Sequence, residues 1–250
     1  MAVPDPIRAL AGGDTVRPVW RNELGGLTFA IGDRYVKWAP AGSGLDLDRE
    51  AVRLRWAAAY LPVPELLGSG ADSSGSWLVT RALGDRSAVH PRWLAEPETA
   101  VRALGSGLRA LHEALPVADC PFSWSAERRV AAVLAQGPTE TPAWHPEHAG
   151  QPVESLLAKV AEPPPVEQPV VCHGDPCAPN TVLDAAGRVA GHVDLGSLGV
   201  ADRWADLAVG SWSLDWNYGA GYQSLYFQAY GVEPDPERIA YYRLLWDLAE

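Results

Sequence analysis

The chain has 250 residues, 47% of them hydrophobic, which is enough for a large buried core in one large domain or two lobes and excludes a chain disordered throughout. Its net charge of −11 argues against nucleic acid or an anionic membrane as partner and suits a cationic ligand. No apolar run is long enough to span a bilayer, the start Met1-Ala2-Val3-Pro4-Asp5-Pro6 lacks the basic and apolar regions of a secretory signal, and Cys120, Cys172 and Cys177 show no zinc-type pairing, all of which fits a reducing cytoplasm.

No internal repeat is present. Val19-Trp20, then Gly25 to Ile31, then the turn Gly32-Asp33 and Arg34 to Trp38 predict a β-hairpin. Leu47 to Tyr60 has helical composition, and Ser76 to Thr80 reads as a further strand, so a small sheet lobe with one helix is expected over 1–81. Leu78 to Leu83 is a candidate hinge along an adenine pocket. Val101, Leu104, Leu108 and Leu111 recur at helical spacing and predict a helix over Pro97 to Leu115, with another over Ala126 to Ala135. Gly137 to Pro169 is Pro-rich and reads as a loop-plus-helix insert, its helical piece being Val153 to Val160. Val170 to Cys172 is a short apolar strand. Thr181 to Asp184 and Val189 to Val193 flank the turn Ala185-Ala186-Gly187 as a second hairpin. Asp202 to Glu250 is mainly helical, broken at Asn217-Tyr218-Gly219 and at Gly231 to Pro236.

The stretch His173-Gly174-Asp175-Pro176-Cys177-Ala178-Pro179-Asn180, followed by Asp194-Leu195-Gly196, carries the chemistry. Phosphoryl transfer from a nucleotide needs one carboxylate to orient the attacking hydroxyl, and an amide oxygen and a second carboxylate to hold magnesium. Asp175 and Asn180 keep the Asp-to-Asn interval of the protein-kinase catalytic loop, with Gly where kinases have Arg. Asp194-Leu195-Gly196 supplies the second metal carboxylate, with Leu in place of Phe. The predicted hairpin places Asn180 and Asp194 at its two ends.

On the nucleotide side, Lys37 sits on a predicted strand, as a kinase lysine that contacts the α- and β-phosphates does, and Glu50 on the next helix is its natural partner, with Asp46 and Asp48 as rivals. Gly25, Gly26 and Thr28 form either a phosphate-covering loop or a plain hairpin turn. From Thr181 onward ten acidic residues face four basic ones, so the acidity suited to a cationic ligand is concentrated there. Trp212, Trp216 and Tyr218 form an aromatic cluster, read as core packing by default and as a ligand-stacking wall otherwise.

Taken together, these residues resemble the aminoglycoside phosphotransferases, the 3′-hydroxyl type and the related streptomycin 3″ type, over nearly the whole chain. The sharpest points are Tyr35 to Trp38, Leu111-His112 with Asp119 to Phe122, Cys172 to Asn180, Val193 to Leu207 and Tyr241 to Leu245. The resemblance implies an α+β, two-lobed, protein-kinase-like fold: a small N-terminal β-sheet lobe that binds nucleotide (1–81), a larger, mainly helical C-terminal lobe for catalysis and substrate (82–250), and ATP in the cleft between them. It implies Asp175 as the catalytic aspartate, Asn180 and Asp194 as Mg2+ ligands, and Lys37 with Glu50 on the nucleotide phosphates. It further implies acidic binders of a cationic antibiotic at Asp247 and Glu250, with Glu147 from the insert. Two departures stand out: Ser197 follows Asp194-Leu195-Gly196 where close members often have Arg, and the tail Trp246-Asp247-Leu248-Ala249-Glu250 lacks the paired acids and terminal aromatic of the 3′ enzymes.

The expected function is therefore a cytoplasmic, ATP- and magnesium-dependent kinase of an aminoglycoside hydroxyl that confers antibiotic resistance. The alternatives are a kinase of another small-molecule hydroxyl on the same fold, or a nucleotide-binding protein without catalysis. Which hydroxyl, ATP against GTP, and the oligomeric state are not written in these motifs.

Overall fold

The computed structural model of the chain describes residues 2–22, 24–84, 86–137 and 144–249. In chain order the elements are α1 (Asp5–Ala11), β1 (Val16–Arg21), β2 (Leu27–Ile31), β3 (Arg34–Pro40), α2 (Leu47–Ala57), β4 (Leu66–Asp72), β5 (Gly75–Arg81) and β6 (Arg86–Ser87). There follow α3 (Pro91–Ala95), α4 (Pro97–Ala114), α5 (Ala126–Gln136), α6 (Val153–Val160), β7 (Pro169–Cys172), β8 (Thr181–Leu183), β9 (Val189–His192) and β10 (Gly199–Asp202). The chain closes with α7 (Trp204–Tyr218), α8 (Gln223–Tyr230) and α9 (Pro236–Ala249). Two compact units result, one of Met1–Asp85 with Ala190–Gly196, the other of Arg86–Val189 with Ser197–Glu250.

The first unit is built on an antiparallel sheet in the order β1-β2-β3-β5-β4. In β2 and β3 the inward positions Phe29, Ile31 and Val36 are buried with Val79 of β5 and Ile7 of α1, as alternation across a pleated strand requires. Lys37 lies on the central strand, opposite Thr28 on one side and Leu78 on the other. Helix α2 starts where Asp46 caps it, its side chain accepting the Arg49 N–H at 2.9 Å. That cap satisfies one of the orphan amides of the first turn and contributes about 1 kcal/mol. Strand β4, LLGSGAD, was not predicted. It is a sheet edge, mostly solvent-facing, and its Gly, Ser and Asp content carries loop chemistry instead of strand propensity.

The second unit is mainly helical. Helix α7 is apolar on all sides, and its residues from Trp204 to Leu214 are buried, as a helix central to a core must be. Trp93, Trp204, Leu207, Tyr226, Tyr242 and Leu245 fill the surrounding core. Helices α4 and α8 approach closely at Gly105, where a Cβ would stand 2.4 Å from the Tyr226 carbonyl oxygen. The insert helix and the break after Tyr218 form as expected. Strand β10 was not predicted, and only its last residue, Asp202, falls in the region read as helical; it pairs antiparallel with β7, Cys172 opposite Gly199 and Asp202 opposite Pro169. Among the described residues no helix is long and apolar enough to cross a membrane.

Candidate active site

The side chains singled out above fall into three groups, one in the first unit and two in the second. In the first, Lys37 Nζ donates to both carboxylate oxygens of Glu50 at 2.8 Å and to Asp194 Oδ1 at 2.7 Å. Of the three acidic candidates on the α2 segment, Asp46 is committed to the helix cap, and it is Glu50 that meets the lysine. Burial works against the ammonium charge, but the Glu50 and Asp194 carboxylates more than offset it and hold Lys37 well above the usual lysine range. Burial pushes the Glu50 carboxyl up, and Lys37 pulls it back only in part. Asp194 has φ +66°, and among the described residues it is the one non-glycine residue in the left-handed region. Such backbone strain concentrates at working sites, and here it accompanies a half-exposed carboxylate held against Lys37.

The glycine-rich connection is occupied with its own turn. Gly25 N–H donates to the Asn22 carbonyl at 3.2 Å and Gly26 N–H to Asn22 Oδ1 at 2.6 Å. Thr28 is a β2 residue opposite Lys37.

The second group is the loop after β7. Asn180 Nδ2 donates to the Asp175 carbonyl at 3.0 Å and to Asp175 Oδ2 at 2.9 Å. With both amide hydrogens given to Asp175, the acceptor that Asn180 has left to offer is its carbonyl oxygen, a hard donor of the kind magnesium takes. Gly174 has φ +86°, and a Cβ there would stand 2.3 Å from the Ser197 carbonyl oxygen, so the position where kinases carry Arg admits only glycine in this backbone.

That loop is held from beneath by a residue the sequence reading did not single out. Asp206, fully buried on α7, accepts the His173 N–H at 2.6 Å and the Gly174 N–H at 2.9 Å, and its Oδ2 lies 3.0 Å from His112 Nε2. His112 Nδ1 in turn lies 2.8 Å from the Tyr230 hydroxyl. Burial alone would raise the Asp206 carboxyl; the hydrogen bond and charge of His112, with His173 and the Gly174 N–H, hold it below the usual range. The oxygens of Asp206 and the facing nitrogen of His112 are thus engaged with each other and with the loop, although His112, Cys172 and Asp206 cluster closely enough to suggest a metal site. Two turns further along α7, Ser213 Oγ accepts the Ala178 N–H at 2.9 Å. The signal for Asp206 was a carboxylate among the apolar residues of the first turns of α7, where it must be paired to be buried.

The third group is the C-terminal acidic region. Asp247 is buried and bonded to His148, Glu147 is exposed, and Glu250 lies outside the described residues. Trp212 is buried and the Tyr218 hydroxyl donates to the Ala88 carbonyl at 2.7 Å, whereas Trp216 is 49% exposed. The aromatic cluster is therefore core at two positions and surface at the third.

With this geometry in view, the likeness to known proteins is direct. A model described as the phosphotransferase enzyme family matches residues 7–242. The chain belongs to this family. An aminoglycoside 3′-phosphotransferase of Streptomyces fradiae is 39% identical over 83% of this chain and 81% of its own length. A streptomycin 3″-kinase of Streptomyces griseus is 35% identical over 92% of this chain and 90% of its own. Among solved structures, an aminoglycoside-3′-phosphotransferase of type VIII superposes with a TM-score of 0.81 at 32% identity, covering 98% of each chain. APH(3″)-Id from Streptomyces rimosus, in complex with ADP and streptomycin, superposes with a TM-score of 0.78 at 29% identity, covering 97% of this chain and 96% of that one. The resemblance read from the motifs is borne out, and so is the α+β, kinase-like fold that it implied.

Proposed function

We propose that this member of the family is an ATP- and Mg2+-dependent kinase that phosphorylates a hydroxyl of an aminoglycoside, acting in the cytoplasm and protecting its host from the antibiotic. The single observation that carries the reading is the pair of hydrogen bonds from the Asn180 amide to Asp175, within the spacing that phosphoryl transfer uses. The family match and the ADP and streptomycin bound by the Streptomyces rimosus relative support the nucleotide and the class of acceptor.

In this reading residues 1–81 serve the nucleotide and 82–250 catalysis and acceptor. Lys37, oriented by both oxygens of Glu50, receives the α- and β-phosphates. Gly25, Gly26 and Thr28 border the same phosphates. Asn180 and Asp194 would hold magnesium through an amide and a carboxylate oxygen; when bound, the ion neutralises charge on the phosphate oxygens. Asp175, held by Asn180, accepts a hydrogen bond from the acceptor hydroxyl and takes its proton late, because a loose transition state needs little base strength. The acidic groups on the C-terminal side, Glu147 and Glu250, receive the ammonium groups and set which hydroxyl reacts, with Asp247 buried behind them. Positioning then supplies much of the rate.

The test is turnover of ATP by the purified chain against aminoglycosides with and without a 3′-hydroxyl, streptomycin, and unrelated alcohols, with growth of a sensitive host carrying the gene. Aminoglycoside-dependent phosphate transfer and a raised inhibitory concentration are expected. Transfer confined to a non-aminoglycoside alcohol, or nucleotide binding without transfer, overturns the proposal.

A further inference from the structure

Asp247 is placed as a brace. Its side chain is 7% exposed, and Oδ2 accepts twice from the insert: from His148 Nδ1 at 2.6 Å and from the His145 backbone N–H at 3.1 Å. A carboxylate oxygen can only accept, so the His148 hydrogen sits on Nδ1. The turn so held is itself organised, since Glu147 N–H donates to His145 Nδ1 at 3.2 Å and Gln151 Nε2 to the Glu147 carbonyl at 2.7 Å.

The held turn lies against α7. The His145 ring is 4.3 Å from that of Trp212, the His148 ring 5.9 Å from it, and Trp212 is 5.3 Å from Trp216, whose indole is half-exposed. Arg243 sits over Trp212 at 5.3 Å and is anchored to Ser211 and Gln223, while Gln223 also holds Asp215 at 2.7 Å. Burial lowers the Arg243 guanidinium, and Asp215 and Glu147 both counter that, so these two carboxylates stand within electrostatic reach of one group. Asp215 and Trp216 lie on α7, the helix whose Ser213 is bonded to the loop after β7, and Glu147 lies on the turn whose His145 ring packs on Trp212 of that helix. Carboxylates beside an exposed indole suit a ligand with ammonium groups on saturated rings, by charge pairing and by cation–π contact.

We propose that Asp247 is a positioning residue: by accepting from His145 and His148 it fixes the insert turn on α7, so that Glu147, Asp215 and Trp216 form the face that receives the ammonium groups of the acceptor. This rests on the aminoglycoside reading above. It differs from direct contact in one respect. A brace needs an acceptor atom at Oδ2, whereas a direct ligand needs the negative charge.

The experiment compares Asp247→Ala, Asp247→Asn, His148→Ala and the Asp247→Ala/His148→Ala double variant. Two measurements are made: steady-state kinetics for acceptor and for ATP, and hydrogen exchange of peptides covering 144–151. Asp247→Ala and His148→Ala should each raise the acceptor KM about tenfold, leave kcat and the ATP KM within about twofold, and speed exchange of the His145 amide. The double variant should be no worse than Asp247→Ala alone, because that substitution already removes the contact with His148. Asp247→Asn, which can still accept, should retain wild-type KM and protection. Asp247→Asn as damaging as Asp247→Ala, with His148→Ala harmless, overturns the brace in favour of direct charge recognition. Unchanged exchange in His148→Ala overturns it as well. If the wild-type chain turns over no aminoglycoside, the functional reading fails on its own, and exchange in the four variants still decides the brace.

Discussion

Oδ2 of Asp206 accepts the backbone N–H of His173 at 2.6 Å, joining α7 to the residue that opens the catalytic loop. Oδ1 takes the next N–H, that of Gly174, at 2.9 Å. Asp206→Ala leaves two buried amides and the His112 ring without their acceptor. We expect a loss of about 3–5 kcal/mol in unfolding free energy, the range for breaking a buried charged pair, together with a fall in kcat. Denaturant unfolding read alongside steady-state kinetics measures both; a loss under 1 kcal/mol, on the order of an exposed contact, would remove Asp206 from this role.

The same carboxylate sets an acid limit. Its folded pKa is lowered, so in the unfolded chain it takes up a proton at higher pH, near the ordinary aspartate value of about 3.9. Stability from this group is therefore complete above about pH 4 and is lost as pH falls through the lower folded value. Unfolding midpoints measured across the acid range should fall more steeply for the wild type than for Asp206→Asn. Parallel curves would contradict the assignment.

Asp175→Asn keeps the size of the side chain and an acceptor for the Asn180 amide, but removes the charge that receives the hydroxyl proton. A fall in kcat of about 10²–10⁴-fold is expected, the usual range for a positioned general base. Nucleotide affinity, followed by fluorescence titration, should change little. Near-normal kcat would assign the proton to another group.

Lys37→Met should act on the nucleotide alone. Removing charge-assisted bonds of about 1.5–3 kcal/mol predicts a rise of ten- to a hundredfold, as an order of magnitude, in the ATP KM, with the acceptor KM unchanged. Glu50→Gln should give a smaller change in the same direction, since Lys37 keeps Asp194 at 2.7 Å. An effect on the acceptor KM as large as that on ATP would place Lys37 in substrate recognition.

Asp194→Ala should abolish the response of activity to added Mg2+, and titration calorimetry with the metal–nucleotide complex should show weakened binding. Activity that still rises with Mg2+ as in the wild type would exclude Asp194 as a ligand. The substitution does not relieve the φ of +66°, because alanine pays a cost there that glycine would not. Asp194→Gly is therefore the better control for fold stability.

Pairings set by residue type and spacing within short motifs were readable from the chain alone: Asp175 meets Asn180 and Lys37 meets Glu50, and α4 followed from the period of its leucines. What escaped were contacts joined across long separations. Asp206 meets its loop 33 residues away and Asp247 meets His148 99 residues away, and no local pattern encodes such a pairing. Glu50 was the expected partner of Lys37, with Asp46 and Asp48 as rivals, and capping shows why Asp46 is not the partner: a helix begins at Asp46 and takes that carboxylate for itself, which presents Glu50 one turn later to the strand. Edge strand β4 was hidden because solvent on its open side relaxes the alternation that marks an inner strand.

The tight approach of Gly174 to the Ser197 carbonyl has a consequence for how this loop diverges. A side chain at 174 can enter only after the backbone at 197 has withdrawn, and withdrawal confers nothing while 174 is glycine. The two sites are coupled, so a path that changes one residue at a time from this loop to an arginine-bearing one passes through a sterically strained intermediate, and a screen of paired substitutions at 174 and 197 should recover combinations that neither site yields alone.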